Sequence, residues 1–193
     1  MISAAILKDR RLAAKAAKDA DLAATEHLKA RLARARDKRV PFYLGREEFL
    51  EICHWQLGDQ FARAARLLES SSDRRIKRIT QLAFAVKDKD ADFELGARLA
   101  ILRLLPGVGL GVASAILGLC NPKRFAPLDA RAWQAVLDDK RGASEVADYQ
   151  RYLARLGELE SEVRSLDPKG RWSPQLVAYY AAGRSDARPA RQG

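Results

Sequence analysis

The chain is 193 residues long, with 35 Lys and Arg against 25 Asp and Glu, a formal charge of +10, and a hydrophobic fraction of 48%. That size suits one domain, or one domain in two lobes, with a core that needs neither disulfide nor metal. No run of about 18 apolar residues is present, and the first apolar patch precedes its charges, so neither a membrane span nor a secretory signal is expected. Two cysteines (Cys53, Cys120) and two histidines (His27, His54) are too few for a four-thiolate cluster or a self-sufficient zinc site.

Free thiols point to the cytoplasm. The basic balance points to a phosphate-rich partner. The charge is uneven: residues 1–40 hold 11 Lys and Arg and five acids, a local +6. Further basic clusters are Arg74-Arg75-Ile76-Lys77-Arg78 and Lys123-Arg124. Such clusters either solvate helix faces or track phosphates, and the second reading requires that they share a side with a specific site.

The elements read as helices throughout, with no sustained alternation and no internal repeat. Twelve of the first forty residues are Ala and no Gly or Pro precedes Pro41, which predicts a helix from Ala4 to about Asp37, capped by Ser3. Its large apolar residues are sparse, so a break or a projection from the core is expected. Residues 1–40 are accordingly read as a basic arm, 41–183 as the core and 184–193 as a disordered tail. Arg46–Gln56 follows, closed by Gly58, then Gln60–Glu69 and the capping run Ser70-Ser71-Ser72-Asp73. Helices are expected over Arg74–Val86, apolar at Ile76, Ile79, Leu82 and Ala83, and over Asp90–Leu105, apolar at Phe93, Leu95, Leu99, Leu102 and Leu105. After a Pro-Gly-Val-Gly turn come Leu110–Leu119, then Ala130–Asp138 capped by Asp129. A long helix runs from Ser144 to about Ser165, and a last one covers Trp172–Ala182.

The chemistry is concentrated between Leu104 and Trp133. The turn Pro106-Gly107-Val108-Gly109 joins two helices. Two glycines permit positive φ and close approach of a ligand to the backbone. Val108 can plug the turn into the core, while the amides of Gly109, Leu110 and Gly111 sit at a helix N-terminus that favours an anion. Such a turn grips a phosphate without reading a base. The competing reading is a tight helix–helix turn, with Val112, Ala113, Ser114 and Ala115 small only to let helices approach.

These residues resemble the helix–hairpin–helix DNA glycosylase superfamily of the endonuclease III type. Leu105-Pro106-Gly107-Val108-Gly109 is similar to its hairpin. Twenty residues after Gly109 comes Asp129, in Phe125-Ala126-Pro127-Leu128-Asp129-Ala130-Arg131, which looks like the superfamily's apolar–Asp segment. A weaker echo is Leu50–Asp59, with Gln56 and Asp59 in a Gln-x-x-Asp pattern. The resemblance implies an all-α, two-lobed fold and duplex DNA as partner, bound in the nucleoid. Gly111 stands where bifunctional members carry a nucleophilic Lys, so it implies a monofunctional enzyme without lyase chemistry. The four-cysteine cluster is absent, and no cofactor is implied beyond room for a monovalent cation at the hairpin.

On that reading Asp129 stabilises the oxocarbenium-like sugar and aligns water. It could equally be a helix cap alone, or both at once. A glycosylase must also flip its base and needs a wedge and a stacking surface. Gln56 is the wedge candidate by resemblance, with His54 and Trp55 beside it. Trp133, one turn after Asp129, lines the base pocket or packs in the core, and the same choice applies to Trp55. Lys123, Arg124 and Arg131 flank the site as phosphate contacts. Tyr179, Tyr180 and Trp172 read as packing of the last helix. The alternative to an enzyme is a non-catalytic DNA-binding module. The sequence identifies no particular base.

Overall fold

A computed structural model describes residues 2–16 and 20–183. The protein is all-α, with ten α-helices and no strand among the described residues. None of those helices is long and apolar enough to cross a membrane. In order they are α1 (Ile2–Ala16), α2 (Ala20–Lys38), α3 (Arg46–Leu57), α4 (Phe61–Glu69), α5 (Asp73–Ala85), α6 (Ala91–Leu102), α7 (Leu110–Cys120), α8 (Ala130–Leu137), α9 (Val146–Leu166) and α10 (Pro174–Ala181).

The centre of the fold is α7, where every residue from Val112 to Cys120 is buried. Small side chains make that burial geometrically feasible, but the partner they admit is partly a loop. A Cβ on Gly118 would lie 2.6 Å from Pro127 Cδ and 2.8 Å from its nitrogen, so only glycine lets residues 126–127 cross the helix. Ser114, fully buried, accepts the Leu128 N–H on its Oγ at 2.8 Å and donates to the Gly111 carbonyl at 2.7 Å. The loop before Asp129 is thus pinned to α7 by packing and by a hydrogen bond.

Helices α3 to α7 pack among themselves, and α1, α8, α9 and α10 form a second set. Helix α2 lies on α7, and α6 meets α9. Caps set the starts: Ser72 accepts the Arg75 N–H at 3.2 Å, and Asp90 accepts those of Asp92 and Phe93. Helix α6 carries a charged network that ties it to the loop after α7. Glu94 Oε1 pairs with Arg98 at 3.0 Å and with Arg124 at 2.8 Å, and Glu94 and Arg98 are buried. Burial opposes the charge on Glu94, yet the Asp88 N–H and the two guanidinium groups hold its carboxyl below the usual range.

Three expectations are corrected. The N-terminal segment, expected to break once or to project from the core, carries α1 and α2; residues 17–19 between them lie outside the described residues, as does the tail 184–193. The segment is also docked. Ile6 is fully buried as α1 packs on α9 and α10, and Ser3 Oγ donates to Glu162. Arg10 pairs with Asp167 and lies 4.5 Å from the centre of the Trp172 ring. Leu28 and Leu32 on α2 are buried, Arg31 pairs with Glu51, and Arg36 donates to the Cys120 carbonyl at 3.0 Å. Few apolar residues suffice here because arginines clamp the helices where leucines are lacking.

Second, Phe93 is 63% exposed and Leu82 48% exposed. At about 100° per residue, each lies about 200° from a buried neighbour, Leu95 or Thr80, so each points away from its helix's packed side. Third, Asp90–Leu105 shortens to α6 because Asp90 is spent as a cap and the chain leaves the helix at Arg103.

Candidate nucleic-acid interface and cleft

The hairpin between α6 and α7 is built as expected in part. Gly107 has φ +79, and a Cβ there would sit 3.0 to 3.1 Å from the side chains of Leu67 and Leu68. Both the dihedral and the space require glycine. Val108 is buried and its N–H donates to the Leu105 carbonyl at 3.1 Å, which plugs the turn into the core. Gly109 differs from the expectation. Its φ of −85 and ψ of −177 are open to any residue, and nothing lies within 4 Å of an added Cβ. Its lack of a side chain leaves clear space ahead of the first α7 amides, those of Leu110 and Gly111, which the helix itself cannot pair.

The basic clusters divide. Arg75 on α5 donates to the Leu104 carbonyl at 3.0 Å, which brings the Arg74–Arg78 group to the hairpin. Lys123 and Arg124 follow the other end of α7, about 16 Å along its axis from the hairpin. Arg124 is drawn to Glu94 and lies 5.1 Å from the centre of the Phe125 ring. The structure therefore does not place Lys123 and Arg124 beside the hairpin.

A cleft of about 590 Å³ opens between the two helix sets, bordered by α2, the end of α3, the start of α8 and α10. Asp129, half-buried, lines it and caps α8, its Oδ1 accepting the N–H groups of Arg131 and Ala132 at 3.0 Å each. The cap fixes the carboxylate in place. The preceding loop is held from three helices: Tyr149 donates to the Ala126 carbonyl, Ser114 receives the Leu128 N–H, and Gln56 Nε2 donates to the Leu128 carbonyl, each at 2.8 Å.

Gln56 joins the cleft to the hairpin. It lines the cleft, and a side chain at Gly111 would begin 3.6 Å from its Nε2. Its amide is tied into the wall and does not project as a wedge. Trp55 also lines the cleft, its indole N–H donating to Thr25 Oγ1 at 2.9 Å. Arg131, exposed, stands at the same opening.

Two candidates fall elsewhere. His54 is exposed outside the cleft lining, its ring stacked 3.4 Å from that of Phe61. Trp133 is 2% exposed, stacked on Tyr152 with Arg151 over its ring, because the buried side of α8 faces α9. It belongs to the core. Sequence reasoning missed Gln175, and it read Tyr179 only as packing, although both line the cleft. A signal for Gln175 was present: it is the one amide in Pro-Gln-Leu-Val-Ala-Tyr-Tyr-Ala, an otherwise apolar and aromatic helix.

The thiols are inert at neutral pH. Burial pushes Cys53 up to about 12 and raises Cys120 further. Comparison with protein-family models, with curated proteins and with solved structures returns no match.

Proposed function

We propose that this protein is a monofunctional DNA glycosylase of the helix–hairpin–helix type, acting on a damaged or modified base in duplex DNA. The observation that carries the reading is the placement of Asp129: a half-buried carboxylate, locked by its capping bonds at the edge of a cleft. The hairpin amides and Arg75 would hold the phosphate backbone, without reading sequence. A flipped base would enter the cleft beside Trp55 and Tyr179. As the base leaves, positive charge develops at the sugar, and Asp129 meets it and orients the attacking water. Gly111 offers no amine, so hydrolysis needs no covalent step at that position.

The second reading is a DNA-binding module without catalysis. It is favoured by Gln56, whose amide is engaged with Leu128 and is not presented to a duplex.

Base release from duplexes carrying a panel of altered bases separates the two, with heat or alkali applied afterwards to open abasic sites. The enzyme reading expects release by the wild type, intact strands before that treatment and no borohydride-trapped adduct. Asp129→Asn keeps the cap but removes the charge, and should slow release on the order of 10²-fold or more. Equal rates would remove Asp129 from catalysis, and a trapped adduct would show that another amine attacks the sugar.

A further inference from the structure

We infer that Gln175 selects the ligand of the cleft: its amide oxygen accepts a hydrogen bond from an amino group on a flat nitrogenous ring of the aminopurine class. The inference rests on the reading of the cleft as a base pocket, and it names the feature of the base that is read.

Gln175 is the second residue of α10, behind the Ser173 cap and Pro174, and it lines the cleft while only 7% exposed. Its Oε1 is buried and has no hydrogen-bond partner. A buried acceptor left unmet is costly and uncommon. Val177 and Ala178 on the same helix show that this position could have been closed with an apolar side chain. An amide retained there is explained by a donor that arrives with the ligand.

The rest of the lining points the same way. Trp55 Nε1 donates to Thr25, and Gln56 Nε2 donates to the Leu128 carbonyl, so two of the lining's donors are engaged inside the protein. Glu26, Asp59 and Asp129 contribute carboxylates, which only accept when ionised, against the single guanidinium of Arg131. Glu26 is paired with Lys29 and Asp129 with the first α8 amides, so the lining acceptor that lacks a donor is Gln175 Oε1. Trp55 and Tyr179 border the space with aromatic rings, which suits a flat partner. A site built to bond a donor rejects the analogue that lacks it far more strongly than apolar contacts could.

The test uses the full chain and three free bases: adenine, 2-aminopurine and unsubstituted purine. Binding is read from the shift of the Trp55 indole N–H resonance, assigned with Trp55→Phe. At least one aminopurine should bind the wild type on the order of tenfold more tightly than purine. Gln175→Met and Gln175→Leu remove the acceptor while nearly keeping the volume, and thermal melting checks that each folds. In either variant aminopurine affinity should fall to that of purine, with purine itself unchanged. No binding of any base, no preference in the wild type, or a preference that survives in a folded variant would overturn the inference. Base release from duplexes is measured in parallel. A Gln175-dependent preference without release would leave a base-binding cleft and remove the glycosylase. Release without that preference would do the reverse.

Discussion

Gln56 donates its amide N–H to the carbonyl of Leu128 at 2.8 Å, across 72 residues of chain, and so fixes the residue immediately before Asp129. Ser114 grips the N–H of the same residue from α7. One peptide unit on either side of Leu128 is therefore held by side chains from two helices, and the Asp129 carboxylate inherits that rigidity. The two tethers differ in burial, because Ser114 is fully buried and Gln56 is only half-buried. Ser114→Ala should cost about 1–3 kcal/mol, by stranding an N–H away from water. Gln56→Ala should cost about 1 kcal/mol, since water can replace part of its bond. Urea denaturation midpoints check both, and equal or negligible costs would mean the loop is held by packing at Gly118 alone.

The two hairpin glycines should separate cleanly. Gly107→Ala forces a side chain into positive φ and against Leu67 and Leu68, and should destabilise by about 1–3 kcal/mol. Gly109→Ala meets open space in an ordinary conformation, so its stability should stay within about 0.5 kcal/mol of wild type. Gly109→Glu should fold equally well yet bind undamaged duplex DNA more than about tenfold more weakly, through repulsion of a phosphate. Titrations at low salt, with melting curves alongside, measure both effects. Unchanged binding by Gly109→Glu would reduce the turn to a structural element.

Helix α1 should behave as core. Ile6→Ala removes a fully buried side chain between α1 and the α9–α10 pair, and should cost about 2–5 kcal/mol. An arm held only by charge would lose less than about 0.5 kcal/mol. Chemical denaturation distinguishes the two. A small loss would restore the expectation of a detachable basic segment.

The helical periods, the caps at Ser72 and Asp129, and the need for glycine at position 107 were legible in the sequence, because each depends on residues close together along the chain, whereas Asp90, expected as the first helical residue, is the cap. What failed depended on three-dimensional partners. Lys123 and Arg124 stand next to the Asp129 segment in sequence, but α7 carries them to the end away from the hairpin, where Glu94 takes Arg124. Trp133 is one turn from Asp129, yet one turn does not say which side of α8 faces α9. The docking of α1 rests on Glu162, Asp167 and Trp172, all more than 150 residues away. Gln175 could not be placed in a cleft whose opposite wall is formed by residues 22–26 and 55–60.

The Glu94 network supplies a test in pH. Glu94 and Arg98 are buried, and Arg124 closes the group from the surface. Because the folded carboxyl titrates below its usual range, protons bind the unfolded chain more readily than the folded one. The stability this group contributes is therefore fully present above the unfolded value of about 4.5, and is lost as pH falls through the lower folded value. Glu94→Gln should destabilise by about 3–5 kcal/mol at pH 7, since Arg98 keeps its charge with its carboxylate partner gone. The difference between wild type and variant should be flat from pH 8 to 5 and should shrink below pH 4.5. Asp73 and Asp148, whose carboxyls are also lowered, contribute acid sensitivity to both proteins and cancel in that difference. Denaturant unfolding of both proteins at a series of pH values measures it. A difference that stays constant down to pH 3 would mean Glu94 acts through packing and amide-replaceable hydrogen bonds, not through its charge.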